Sequence, residues 1–180
     1  MYIDNEIKLD FKDVLIRPKR SNLKSRNDVS LIRTFKFKHV KDYEWSGIPI
    51  MSANMDTTGT FEMALSLTKH KMFTCIHKYY TLDDWIQFFY HTPDLDDTIY
   101  NYISITSGIG QSDLDKLDEI LSKLTKIKFI SLDVANGYTE HFTDIVSQVR
   151  SKYPDKVIIA GTVVTREMTE ELLLKGADII

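Results

Sequence analysis

A few side chains in this sequence have the type and setting to do chemistry. Lys78, in the segment His77-Lys78-Tyr79-Tyr80, directly follows the apolar run FTCIH over residues 73–77. An ammonium fixed at the end of a strand can hold a phosphate or carbonyl oxygen as a point charge; the competing reading is a solvated loop lysine. Asp133 lies inside SLDVANGY. A carboxylate in such a run is costly unless it is paired or faces a polar cavity, so it reads either as half of a structural ion pair or as an acceptor for a ribose hydroxyl. Asn136-Gly137 behind it supplies a tight turn, which by itself explains the glycine. Gly108 and Gly110 would let a backbone approach a ligand, or simply turn the chain into the next helix.

Other residues carry less. His77 and His141 have no metal-ligand spacing, and HxxxH and CxxC patterns are absent, so no metal is expected. Cys75 is the sole cysteine and sits mid-strand among apolar residues, where it packs as a small hydrophobe. A nucleophile needs exposure and an electropositive setting, so Cys75 is not nominated. With one cysteine no intrachain disulfide can form, which fits a reducing compartment and a cytoplasmic protein. Arg17-Pro18-Lys19-Arg20 is too short a basic match, without interleaved aromatics, to argue for nucleic acid. No apolar stretch is long enough to span a bilayer, and the first ten residues do not read as a secretory signal.

Strands alternating with helices must position these residues. Ile48–Ala53 (IPIMSA) reads as a buried parallel strand, followed by a helix over 60–71. Further strands are expected at 73–77, 102–106, 129–134 and 157–160. Helices are expected to start at Thr81, at Ser112 as N-cap, at Thr139 and at Thr165, the last ending at Gly176. Ala177–Ile180 reads as the opening of a sixth strand. Such alternation implies a parallel sheet with helices outside. The first strand leads into Asn54-Met55-Asp56-Thr57-Thr58-Gly59, without GxGxxG spacing. Polar residues instead gather behind every strand: Asn54 and Asp56, Lys78, Ser107, Asp133 and Asn136, Thr162. That pattern predicts an α/β fold, a partial (β/α)8 TIM barrel of about five βα units, with the site on its C-terminal rim. The expected division is a basic arm and hairpin over 1–47 and an incomplete barrel over 48–180. Residues 1–41 carry eleven Lys/Arg against five Asp/Glu, while the formal net charge of the chain is −3. Such an arm can contact a nucleotide phosphate or another subunit, or can be a solvated hairpin.

Five strings, LDFKDVLIRPKRSNLKSR (9–26), SGIPIMSANMDTTGTFEMA (46–64), CIHKYYTLDDW (75–85), SLDVANGYTEHF (131–142) and AGTVVTREMTEELLLKGADII (160–180), occur in order. Together they resemble the N-terminal half of the GMP reductases, in the IMP dehydrogenase/GMP reductase family. The related dehydrogenases usually carry regulatory CBS modules between the second helix and third strand; here there is room only for a loop. The resemblance implies NADPH-dependent conversion of GMP to IMP and ammonia in a cytoplasmic homotetramer. It implies purine contacts at Asn54 and Met55, cofactor contacts at Lys78, Asp133, Val134 and Ala135, and contacts from Ser25 and Arg26 to the cofactor of a neighbouring subunit. An arginine fork suits the ribose phosphate that distinguishes NADPH from NADH.

No catalytic nucleophile is expected within these residues. The family's cysteine follows the sixth strand, beyond residue 180, as do the potassium-binding and nucleotide-phosphate loops. The chain also has Thr162 where the family usually has asparagine, which removes an amide from the rim. Two alternatives accompany the reductase reading: a non-catalytic half-barrel that binds nucleotide or full-length subunits, and an IMP dehydrogenase-like oxidoreductase lacking CBS modules.

Overall fold

The computed structural model describes Ile3 and residues 5–180, in two compact units that divide after Ser30. The first contains two 3-10 turns, Phe11–Asp13 and Arg26–Asp28, each closed by a capping box: Asp10 with Asp13, and Ser25 with Asp28. Phe11, Leu15 and Ile16 in it are almost fully exposed.

The second unit opens with an antiparallel hairpin, β1 (Arg33–Lys36) and β2 (Glu44–Gly47). Then follow β3 (Met51–Ser52), α1 (Phe61–Thr68), β4 (Phe73–Ile76), α2 (Leu82–His91), β5 (Ile103–Ser107), α3 (Gln111–Lys123), β6 (Phe129–Asp133), α4 (Glu140–Lys152), β7 (Val157–Gly161) and α5 (Arg166–Lys175). Strands β3 to β7 form one parallel sheet in chain order, a five-strand half-barrel. Ile179 adds a parallel bridge to Ile159. Among the described residues, no helix is long and apolar enough to cross a membrane.

Period-two alternation sorts the strand residues onto two faces. Ile76, Ile103, Ile105, Ile130, Leu132 and Ile158 belong to the core that the helices cover, with Leu117, Ile120, Phe142 and Leu172. Phe73, Cys75, Phe129 and Val157 form a second cluster on the inner face, closed below by Trp45 and Val40 of the hairpin segment. There Trp45 Nε1 donates to the Asn101 carbonyl at 2.8 Å, and the Tyr102 hydroxyl donates to the Ser46 carbonyl at 2.9 Å. The hairpin therefore plugs the N-terminal mouth of the half-barrel.

Thr60, Thr81, Thr139 and Thr165 each accept a backbone N–H of the first turn and start α1, α2, α4 and α5. Ser112 does not cap α3. Gly110 does, without a side chain, because its carbonyl already accepts the Asp113 and Leu114 amides at 3.0 Å and places Ser112 inside the first turn. The first strand is also shorter than expected. Pro49 has no N–H for a ladder, and only Met51 and Ser52 pair with β4. Gly176 ends α5 at φ 119°, a left-handed backbone that side chains rarely adopt.

Candidate functional site

The loops behind β3, β4, β5, β6 and β7 all lie at the C-terminal end of the sheet, the end on which barrel enzymes build their sites. An open cleft of about 300 Å³ lies there, lined by residues that include Asn54, Cys75, Ser131, Asp133, Gly161 and Thr162. Asn54 Nδ2 donates to Asp133 Oδ2 at 2.9 Å, joining two rim loops 79 positions apart in sequence. Among the described residues Asp133 has no ion-pair partner; it is the exposed last residue of β6 and accepts from an amide.

Backbone pairing carries Asp133 to its place and continues beyond the strands. Asp133 pairs with Gly161, Val134 N–H donates to the Gly161 carbonyl at 2.9 Å, and Thr162 N–H donates to the Val134 carbonyl at 3.1 Å. Gly137 N–H then reaches the Thr162 carbonyl at 3.1 Å, where a Cβ on Gly137 would stand only 2.7 Å from that oxygen. The Tyr138 hydroxyl accepts the Val164 and Thr165 amides at 2.8 and 3.1 Å. Its hydrogen bonds with Thr165 and Val164 draw the phenol pKa below its ordinary value by favouring phenolate. The β6–α4 and β7–α5 loops are consequently one stitched unit.

Lys78 turns elsewhere. Its ammonium lies 3.5 Å from Asp113 at the start of α3, and its carbonyl accepts the Lys116 ammonium. Met55 is exposed in the β3–α1 loop, Val134 is half-buried against the outer core, and Ala135 is exposed. Ser25 and Arg26 lie in the first unit, where the Ser25 hydroxyl accepts the Asn27 amide at 3.2 Å in the local cap. The structure therefore brings Asn54 and Asp133 into direct contact and sets Lys78 on the adjoining β4–α2 loop of the same rim.

A polar strip on the inner wall escaped the sequence reading. The Ser104 and Thr106 hydroxyls are buried and, among the described residues, have no conventional hydrogen-bond partner. Cys75 lies against Ser104 and Ser131; burial dominates its setting and pushes the thiol pKa up, with the two hydroxyls opposing. That thiol is a poor nucleophile. The available signal was the strict alternation of Ser104 and Thr106 with Ile103 and Ile105, which puts these two hydroxyls on one face of β5. Among the described residues, no cluster of three or more His, Cys, Asp or Glu side chains could hold a metal ion.

Residues 8–180 match the IMP dehydrogenase / GMP reductase domain. The chain belongs to the IMP dehydrogenase/GMP reductase family. It is 56% identical over 178 residues to GMP reductase 1 of Rattus norvegicus, covering 99% of this chain and 50% of that protein. It is 52% identical over 179 residues to GMP reductase 2 of Homo sapiens, covering 99% and 50%. With GMP reductase of Yersinia pestis (strain Pestoides F) the identity is 50% over 180 residues, covering 100% and 51%. The chain thus spans about half the length of the curated relatives it matches. In fold it is similar to an inosine 5′-monophosphate dehydrogenase from Legionella pneumophila, with a TM-score of 0.71 at 24% identity over 93% of this chain and 48% of that one.

Proposed function

We propose that this chain supplies the N-terminal half-barrel of a GMP reductase, which converts GMP to IMP and ammonia with NADPH. Three things support the reading. The reductases named above are at least 50% identical to this chain along nearly its full length. The regulatory insertion usual in the dehydrogenases has no room, since α2 ends at His91 and β5 begins at Ile103. The rim presents the groups such ligands require. The observation that carries most weight is the Asn54–Asp133 contact, because it joins the residue assigned to the purine with the residue assigned to the cofactor.

The side chains fit a dinucleotide carrying amide, hydroxyl and phosphate groups. Asp133 accepts from a ribose hydroxyl or an amide N–H. Lys78 supplies a compact cation for an anionic or carbonyl oxygen. Val134 and Ala135 line the same loop, and Asn54 and Met55 meet the purine nucleotide. Ser104 and Thr106 offer buried hydroxyls that have no conventional hydrogen-bond partner among the described residues. Bound NADPH supplies the hydride. The thiolate that adds to purine C2 and expels ammonia belongs to the half of the relatives outside the match, as does any potassium site, and Cys75 is too buried to replace it. In a cytoplasmic homotetramer, Ser25 and Arg26 would reach the cofactor of a neighbouring subunit.

The test is turnover by the protein expressed from its complete gene. NADPH oxidation with GMP, yielding IMP and ammonia, is the expected result. NADH formation from IMP and NAD, without the reductive reaction, would assign the dehydrogenase activity instead. Nucleotide binding without either turnover would leave a non-catalytic half-barrel.

A further inference from the structure

His77 is buried beside Lys78, at the end of a continuous column of rings. Phe88 stacks on Phe61 at 4.2 Å between centroids, Phe61 on Tyr80 at 4.0 Å, and Tyr80 on His77 at 4.1 Å. The column runs from α2 through the start of α1 to the rim. At its top the His77 ring turns a nitrogen to the backbone: Nδ1 accepts the Tyr79 amide at 3.2 Å. The His77 amide donates to the Gly59 carbonyl at 2.8 Å, and the Lys78 carbonyl accepts the Lys116 ammonium. Residues 77–80 are thereby held on both sides of Lys78.

We propose that His77 is a positioning residue for Lys78: its neutral ring, wedged on Tyr80 and accepting the Tyr79 amide through Nδ1, fixes the turn that presents the Lys78 ammonium to an anionic or carbonyl group of the cofactor. The inference rests on the reading of Lys78 as a cofactor contact. Only the tautomer with hydrogen on Nε2 can accept at Nδ1, and a second proton abolishes that bond. Burial lowers the pKa of the ring. Asp56 and Asp84 face it and oppose that shift, while Lys116 adds to it. The ring is therefore neutral at pH 7. Its contribution is complete above the unfolded value of about 6.5 and is lost as the pH falls through the lower folded value.

NADP+ binding by the protein from its complete gene tests the role, using His77→Asn, His77→Phe and Lys78→Met. Asparagine retains a short acceptor and cannot be protonated; phenylalanine retains the stack without an acceptor. At pH 7.5, His77→Phe should weaken NADP+ binding about fivefold, the scale of one net hydrogen bond, while His77→Asn stays near wild type. Between pH 7.5 and 5 the wild type should lose more affinity than His77→Asn; this difference cancels titration of the ligand's own phosphate. Wild-type affinity and an unchanged pH profile in both His77 variants, while Lys78→Met binds weakly, would overturn the positioning role alone. Unchanged binding in Lys78→Met would instead overturn the cofactor reading. The ring nitrogen shifts then still decide the local claim. A deprotonated Nδ1 at pH 7.5, and a Tyr79 amide that moves on acidification, are expected; a proton on Nδ1 at pH 7.5 would refute it. Those shifts also decide the matter if His77→Phe fails to fold.

Discussion

Two aspartates at opposite ends of the half-barrel divide its labour. Asp178, at the N-terminal end, has no exposed side-chain surface and is saturated. It accepts from Arg150 at 2.5 Å, the His39 amide at 3.0 Å and the Ile158 amide at 3.1 Å. Arg150 also donates through Nε to the Gly176 carbonyl and through Nη1 to the carbonyls of Tyr153, Pro154 and Lys156. Asp133, at the C-terminal end, is exposed and holds one side-chain amide. A saturated carboxylate ties elements together, and one with spare acceptor capacity can still take a ligand. The difference follows the division of a TIM barrel into a stability face and a reactive face.

The comparison can be broken by exchanging the consequences. Asp178→Ala leaves the Arg150 guanidinium buried without its partner and should cost about 3–5 kcal/mol in denaturant unfolding. Asp133→Ala should weaken NADP+ binding about tenfold in titration calorimetry, with unfolding free energy changed by no more than about 0.5 kcal/mol. If the rim variant unfolds as readily as the floor variant, the division fails. Thr165→Ala sharpens the contrast: loss of the α5 cap should cost about 1 kcal/mol, placing rim stability in helix starts rather than in Asp133. The smallest effect is spectroscopic. The Tyr138 phenol should ionise below the ordinary tyrosine range in absorbance titration, and Tyr138→Phe should remove that component.

Legibility in the sequence followed the same division by range. Alternation of strands and helices, the helix starts at Thr81, Thr139 and Thr165 and the glycine stop of α5 are local patterns, and all are readable. The α3 start misled because Ser112 looked like a cap while the backbone of Gly110 did the work. The first strand is shorter than its apolar run suggests because Pro49, written within that run, has no N–H for a ladder, so hydropathy alone overstates the strand. Asn54, Lys78 and Asp133 could be placed at strand ends, but the bond between Asn54 and Asp133 depends on how the sheet coils. The Asp178 network was invisible for the same reason, joining residues 139 positions apart at His39. The hydroxyls inside β5 were spelled out by alternation, yet sheet closure was needed to show which face lay within.

Helix polarity has one further consequence. All five helices follow their strands, so all five N-termini, each worth about half a positive charge, point toward the rim. That ring would draw any phosphate, but each helix carries an acid in its own first turn: Glu62, Asp83 with Asp84, Asp113, Glu140 and Glu167. The macrodipoles are answered from within. Long-range pull on a phosphate-bearing ligand would therefore fall to ammonium and guanidinium groups outside the cleft, whose lining carries the Asp133 carboxylate and no Lys or Arg among the described residues, so capture should be salt-sensitive.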